Sequence, residues 1–174
     1  MDNGRLVNRI LIYIALMLLF APLLFSLEGY NVYAICPGMQ SKTRENQVTG
    51  AVVNNLYVKA KATGYFYYGA DQFSIVYGKA KRGVDYYGPW TGFTSPLYGW
   101  FKTYDKNNHL LDYEYDFTDS DEILYSYRNS NPSICDGNID KIVVRAKTKV
   151  AQYIPFTGVI IYEEWIEAYV VLRK

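Results

Sequence analysis

Apolar and polar residues alternate at a period of two through much of the chain beyond residue 48. In "LYVKAKAT" (56–63), leucine, valine and two alanines alternate with tyrosine, two lysines and threonine. Successive side chains of a β-strand point to opposite faces, so this segment predicts a strand with one buried face and one wet face. The same spacing recurs in "KAK" (79–81) and "RAKTK" (145–149), which predicts further strands of this kind.

Two stretches have the pattern of β-hairpins. "GADQ" separates the aromatic run "YFYY" from "FSIVY", and "PFTG" joins "KIVVRAKTKVAQYI" to "VIIYEEWIEAYVVLRK". A short turn in the second hairpin places Lys149 opposite Glu163 and Arg145 opposite Glu167. That register puts a charged ladder on the outside and an apolar ladder on the inside.

Other segments are less regular. "LLDYEYDF" (110–117) predicts a strand with aromatic residues buried and acidic residues in water, while "YYGPWTGFTSPLYGW" (86–100) predicts a loop rich in Gly and Pro. "DSDEILYSY" is compatible with one helical turn that Asp119 or Ser120 would cap. "MQSKTRENQ" (39–47) has no pattern and predicts an exposed lead-in.

The pattern as a whole predicts an all-β fold. No stretch beyond the N-terminal apolar run sustains a helical period, so we expect one β-sandwich of about seven to nine strands, with a β-barrel as the alternative. The expected organisation is a signal peptide or uncleaved anchor over residues 1–34, a polar lead-in over 35–47, and a β-sandwich domain over 48–174.

The N-terminus has the features of an export signal. Arg5 and Arg9 precede an uncharged run from Ile10 to Leu27, and "NVYA" supplies a cleavage site after Ala34. About 18 apolar residues can also span a bilayer, so an uncleaved membrane anchor is the alternative. The predicted location is therefore secreted or cell-surface, or else membrane-anchored through this segment alone, with the domain outside the cytoplasm.

Composition limits the classes of function. A chain of 174 residues with 50% hydrophobic residues can form one core, and a formal net charge of +1 argues against a nucleic-acid partner. The two cysteines, Cys36 and Cys135, follow the export signal, so an oxidising compartment predicts a disulfide between them. Such a bridge closes a loop of about a hundred residues and contributes at most about 5 kcal/mol. Two buried thiols or a bond between subunits are the alternatives.

Three groups of side chains are candidate binding residues. The lysines of the "KAK" segments form a solvated strand face or an anion-binding surface, and the acidic strand can pair with them or with the lysines of another copy. The loop aromatics cap the core or form a platform for sugar rings. The charge-contact residues are Lys59, Lys61, Lys79, Lys81, Asp112, Glu114 and Asp116, and the platform residues are Trp90, Phe93, Tyr98 and Trp100.

Metal binding and catalysis have weak support. "DFTDSDE" offers calcium ligands at Asp116, Asp119, Asp121 and Glu122, but without the glycine turn of an EF-hand. His109 is the single histidine, with Asp112 nearby, and no nucleophile motif accompanies it. We therefore expect no metal, no cofactor and no enzymatic activity.

The residues together favour an exported, disulfide-stapled structural or adhesive subunit that acts through protein contacts, including contacts with its own copies. The alternatives are a secreted module that binds cell-surface polysaccharide through its loop aromatics, and a small secreted hydrolase. The tyrosine-rich all-β plan resembles subunits of cell-surface filaments and carbohydrate-binding modules, and this likeness is architectural.

Overall fold

Nine β-strands and no helix make up the secondary structure of the described residues. The computed structural model describes residues 38–86, 88, 90–128 and 135–174. The strands are β1 (Met39–Thr49), β2 (Leu56–Tyr67), β3 (Ile75–Val84), β4 (Thr91–Phe93), β5 (Leu97–Tyr104), β6 (Leu110–Thr118), β7 (Glu122–Arg128), β8 (Lys141–Tyr153) and β9 (Ile160–Arg173). A search of the described part of the chain finds no helix with the length and hydropathy to cross a bilayer.

The predicted signal or anchor and Cys36 lie outside the described residues. Cys135 is described, half-buried in the segment that leads into β8. Export and the Cys36–Cys135 disulfide therefore stay predictions.

The strands form two antiparallel sheets, which confirms the all-β prediction. In the first sheet the order is β1-β2-β3-β7. In the second sheet β8 is central and pairs with β9 along one side. On its other side β8 pairs with β5 along one part of its length and with the short β4 along another. β6 pairs with the far side of β5. The hairpin predicted around "GADQ" is present as β2 and β3, which pair from Tyr65↔Ile75 to Leu56↔Val84.

One apolar cluster lies between the two sheets. Alternate residues of β2, β3, β5, β7, β8 and β9 point into it, and the largest of its fully buried side chains are Phe73 and Phe101. The alanines of the three "KAK" and "RAKTK" segments are 0% exposed, so the lysines between them point outwards. The prediction of one buried and one wet face is confirmed for these strands.

Part of the predicted Gly- and Pro-rich loop is a central strand. β5 begins directly after Pro96, where a proline interrupts no ladder bond, and it lies between β8 and β6. Gly99 fits within it because the sheets approach closely there: a Cβ atom on Gly99 would lie 2.2 Å from Tyr125 Oη. The helical turn expected near Ser120 is also absent, since strand β7 begins at Glu122.

The expected lead-in is exposed, as predicted, but it forms strand β1. Its backbone pairs with β2 along the whole strand, from Met39↔Tyr67 to Thr49↔Tyr57. Side chains of β1 also reach the outer edge of β9, where Arg44 Nη1 donates to Val171 O (3.1 Å) and Asn46 Nδ2 donates to Tyr169 O (3.2 Å). The polar sequence of β1 therefore suits an edge strand whose side chains donate hydrogen bonds to backbone carbonyl oxygens of the other sheet.

Arg82 of β3 forms hydrogen bonds to two separate loops. Its side chain is 8% exposed, and Nε donates to Asp121 Oδ1 (3.1 Å) while Nη1 donates to Ser95 O (2.7 Å) and Nη2 to Asp119 O. The guanidinium also lies 4.8 Å from the ring centre of Phe93. One buried cation thus holds the segments before β5 and before β7.

We predict that Arg82→Ala lowers the free energy of unfolding by roughly 2 to 4 kcal/mol, because it removes the single side chain whose hydrogen bonds connect the segments before β5 and β7 and leaves a space where a long side chain was buried. Urea denaturation followed by tryptophan fluorescence measures the change. Lys106→Ala, in the exposed turn between β5 and β6, is the control and should stay within about 0.5 kcal/mol of the parent. Equal effects of the two substitutions would contradict the assigned role of Arg82.

Candidate functional site

Aromatic side chains cover the outer face of the second sheet. Tyr98 and Trp100 of β5 pair in register with Phe117 and Tyr115 of β6. Ring centres are 6.2 Å apart for Tyr98 and Phe117 and 5.2 Å apart for Trp100 and Tyr115, and Trp165 of β9 lies 6.0 Å from Tyr98. Two of the predicted platform residues therefore stand in one continuous aromatic surface.

The orientation of β6 is opposite to the sequence prediction. Its register pairs Glu114 with Phe101, which is fully buried, so Asp112, Glu114 and Asp116 lie on the inward side of the sheet. The aromatic residues of β6 are outward and about half exposed. β6 is an edge strand, so its inward side is only partly covered by the first sheet and leaves the carboxylates access to water, while the outward rings contact those of β5.

Basic side chains lie over these rings. The nitrogen of Lys141 is 3.8 Å from the ring centre of Tyr104, Lys102 is 4.8 Å from Tyr113, and Lys147 is 4.6 Å from Trp165. The guanidinium of Arg145 lies 4.8 Å from the centre of Trp100. Cation–π contacts of this kind hold the long basic side chains against the sheet.

The C-terminal hairpin supplies most of these cations, with a register two residues from the predicted one. Lys149 faces Trp165 and Arg145 faces Tyr169, because the connection is longer than expected and a bulge follows Gln152. A shift of two residues keeps every side chain on its predicted face. Arg145 still pairs with Glu167 and Lys149 with Glu163, now diagonally, with Arg145 Nε donating to Glu167 Oε1 at 2.6 Å.

A depression of about 470 Å³ lies in this surface. Four aromatic and four basic side chains line it together with two valines, and none of its lining residues is acidic. Glu167 partly neutralises Arg145, and Asp140 pairs with Arg173 at 3.4 Å. Lys102 and Lys141 form no ion pair with the described residues, so the depression carries positive charge. The lining residues are Trp100, Lys102, Tyr104, Tyr113, Lys141, Val143, Arg145, Tyr169, Val171 and Arg173. We call these ten residues, together with the adjoining Tyr98, Lys147 and Trp165, the aromatic–basic face.

The two other predicted platform residues lie elsewhere. Trp90 packs edge-on against Phe156 at the tip of the β8–β9 hairpin, with 4.6 Å between ring centres. Phe93 is half-buried, packs against the core and lies beneath Arg82. The predicted set of four aromatics is therefore divided among the face, the hairpin tip and the core.

The four "KAK" lysines form a block on the outer face of the first sheet. Lys59 lies directly opposite Lys81, and Lys61 directly opposite Lys79. Glu45 of β1 is 3.7 Å from Lys59, and Glu122 of β7 is 2.5 Å from Lys79. The sequence allowed the acidic strand β6 to lie beside these lysines. In the structure β6 belongs to the other sheet, so its acidic residues are not strand neighbours of the block.

The carboxylates of β6 crowd one another at the inner edge of the second sheet. Burial raises the pKa of Glu114, and the neighbouring Asp112 and Asp116 raise it further. Burial also raises the pKa of Tyr125 in β7, with Asp116 and Glu114 adding to the effect. This edge therefore concentrates negative charge that lacks a basic partner among the described residues.

His109 and three of the four candidate calcium ligands have other side-chain or amide partners, and the fourth, Asp119, accepts from Arg82 through its backbone carbonyl. Asp121 accepts from Arg82, Glu122 pairs with Lys79, and Asp116 Oδ1 accepts from the Phe117 amide at 2.8 Å. Within the described ranges no three His, Cys, Asp or Glu residues form a group that could hold a metal ion. His109 Nδ1 lies 3.1 Å from Asp105 Oδ2, and its amide donates to Asp105 Oδ1, so this histidine closes the β5–β6 turn.

Sequence reasoning missed most of the aromatic–basic face. The alternation of β6 predicts a buried Tyr113, and the sequence pattern does not single out Tyr169, Lys102 or Lys141. The alternation in "WFKTY" was a usable signal, because it places Trp100, Lys102 and Tyr104 on one face.

No protein-family model matches this chain, and no curated protein matches it in sequence. Functional inference therefore depends on the geometry described above.

We predict a coupling of about 0.2 to 1 kcal/mol between Arg145 and Glu167 in a double-mutant cycle. The hydrogen bond from Arg145 to Glu167 raises the pKa of the guanidinium, consistent with a formed ion pair. Chemical denaturation of the two alanine variants and the double variant measures the coupling. Zero coupling, together with unchanged stability of both single variants, would show that the pair does not contribute to the fold.

Proposed function

We propose that this protein is an exported surface module that binds an anionic polysaccharide through its aromatic–basic face. The observation that carries the proposal is the depression around Trp100, whose lining combines four aromatic and four basic side chains without an acid. The proposal adopts the polysaccharide alternative of the sequence analysis and keeps the adhesive role, since a module that holds surface polymer is adhesive.

Charge supports an anionic ligand. Lys102, Lys141 and Lys147 are held over aromatic rings and form no ion pair with the described residues, so each ammonium can meet a carboxylate or sulfate group. Their positions are already restricted by the rings, which lowers the entropy lost when a ligand binds.

Aromatic exposure supports a sugar polymer. Tyr113 and Tyr169 are 49% and 51% exposed at the margins of the depression, and their rings can pack against the apolar faces of pyranose units. The face runs across several strands without a deep cavity, a shape that suits an extended chain better than a small molecule. Nucleic acid is also a polyanion, and poly(U) in the test below distinguishes it from polysaccharide.

The remaining parts of the proposal come from sequence and topology. Export through the N-terminal segment, with or without retention as an anchor, would place the domain where such polymers occur. The Cys36–Cys135 bridge would form in the same compartment. A β-sandwich fits the two sheets better than a barrel, because the described strands at the sheet margins meet mainly through side chains such as Arg44. The proposed role is binding without catalysis.

The test measures how much of the full chain, residues 1–174, is retained on immobilised dextran sulfate and on immobilised polygalacturonate. Neutral dextran serves for comparison. We expect binding to the two anionic polymers, and Lys102→Gln/Lys141→Gln and Tyr169→Ala should each weaken it by about tenfold, or ~1.4 kcal/mol. Binding should fall as salt rises.

Matched controls are Lys106→Gln and Tyr68→Ala, which change an exposed lysine and an exposed tyrosine outside the aromatic–basic face. Both should bind like the parent. The proposal fails if neither polymer is retained, if the controls weaken binding as much as the face variants, or if single-stranded poly(U) is retained and the polysaccharides are not.

A second candidate function is self-association, and the crowded carboxylates of β6 favour it. Burial raises the pKa of Glu114, the neighbouring Asp112 and Asp116 raise it further, and lysines from a second copy would relieve that repulsion. The lysine block stands on the other sheet, so a contact between copies would be heterologous and could propagate into chains.

Sedimentation velocity across a salt series tests this candidate. Association is expected at low salt and should fade as screening increases, and a variant with Lys59, Lys61, Lys79 and Lys81 changed to Glu should be monomeric. A parent protein that is monomeric at every salt concentration would eliminate the candidate.

A further inference from the structure

The lysine block of the first sheet is arranged at a cost to the fold. Directly opposite residues of an antiparallel pair stand about 5 Å apart at Cβ, and like charges in that position are destabilising. The pairing here sets Lys59 against Lys81 and Lys61 against Lys79, so four ammonium groups form a two-by-two array. A register shift of one residue would bury the lysines, so such a shift cannot relieve the repulsion.

The flanking strands compensate only half of this charge. Glu45 pairs with Lys59 from one side and Glu122 with Lys79 from the other. Glu45 lies directly opposite Lys61 in the register and Glu122 directly opposite Lys81, but among the described residues neither lysine forms an ion pair. Two glutamates therefore stand beside four lysines. The block is therefore an incompletely neutralised cationic surface.

A second depression adjoins the block. It has a volume of about 350 Å³ and lies over β2, β3 and β7. Lys61 and Lys79 supply cations, Thr63 and Ser126 supply hydroxyl groups, and Tyr77 supplies a ring that is 47% exposed. This depression shares with the aromatic–basic face a cation that lacks an ion-pair partner among the described residues, Lys61, and an exposed aromatic ring, while Leu124 adds an exposed apolar side chain.

We propose that the lysine block and this depression form a second binding surface for the same class of anionic polysaccharide. It stands on the outer face of the first sheet, and the aromatic–basic face stands on the outer face of the second, so the apolar core separates them. A module with binding surfaces on opposite sides can hold two polymer chains at once. The protein is then a cross-linker of anionic polysaccharide, an inference that rests on the proposed function for one of its two surfaces.

A bridging assay tests the proposal. The protein is captured on immobilised dextran sulfate, unbound protein is washed away, and fluorescent soluble dextran sulfate is added. We expect the parent to retain the labelled polymer. A block variant with Lys59, Lys61, Lys79 and Lys81 changed to Gln should still bind the immobilised polymer but lose at least about 90% of the bridging signal. Sedimentation of each protein at the assay salt excludes bridging by self-associated copies.

Two further variants separate the two proposals. The face variant Lys102→Gln/Lys141→Gln should also bind immobilised polymer, now through the block, and should likewise fail to bridge. A charge-matched control with Lys42, Lys106, Arg128 and Lys174 changed to Gln removes four cations outside both surfaces and should bridge like the parent. If the face variant still bridges, the result contradicts the proposed function of the aromatic–basic face. If the block variant still bridges, the result contradicts the proposal of a second binding surface at the lysine block.

Thermal stability gives an independent readout of the same block. Because its lysines repel one another, Lys61→Gln/Lys81→Gln should raise Tm at low salt, and dextran sulfate should raise the Tm of the parent more than that of this variant. A lower Tm of the variant, with an unchanged response to polymer, would show that the lysines serve the fold alone. Retention of the parent by anionic lipid vesicles but not by polymer would also overturn the proposal.

Discussion

Close packing of the two sheets around Phe101 is the constraint on which the rest of the structure depends. A Cβ atom on Gly78 would lie 2.5 Å from the Phe101 ring, and the ring stacks on Tyr125 with 5.5 Å between centres. The alanines of β2, β3 and β8 are the small residues that allow the sheets to approach each other. Substituting a larger residue for any of them would force the sheets apart or create strain, since protein interiors have little free volume.

The chemistry of both outer faces follows from this packing. Once alanine, valine and glycine occupy the inner positions, the two-residue period of the strands sends the intervening lysines, arginines and aromatics outwards. Both faces carry more cations than anions, although two glutamates on each face pair with cations, and further acidic residues lie on β6 and in the segment between β6 and β7. The near-neutral sum of charges conceals this separation. Two opposed basic faces on one small unit are the physical basis of the proposed polymer binding and cross-linking, and the acidic edge is the basis of the proposed contacts between copies.

The sequence correctly predicts site residues where local alternation alone decides which face of the sheet a side chain occupies. It fails where the pairing with a neighbouring strand decides the face. Tyr98 and Trp100 were identified as platform residues, and both stand on the aromatic–basic face. The aromatics of β6 were assigned to the core because hydrophobic burial normally decides the face of an alternating strand. At this sheet edge the inward side holds Glu114 and the outward side holds Tyr115, which gains a ring contact with Trp100. The sequence of β6 alternates equally well in either orientation, so only its neighbour could decide.

The sequence by itself determined the all-β class, the hairpins and the outward direction of the lysines, because each follows from a two-residue period or a local turn. Tertiary structure alone decided which strands are neighbours. It placed β8 beside β5 and β7 beside β3, and it turned polar β1 into an edge strand whose Arg44 reaches β9. These outcomes depend on contacts between residues far apart in the chain, whose free energies no local pattern encodes. The face that a ligand would meet is assembled from such contacts, and the physical reason is that a β-sheet places side by side strands that the chain order separates.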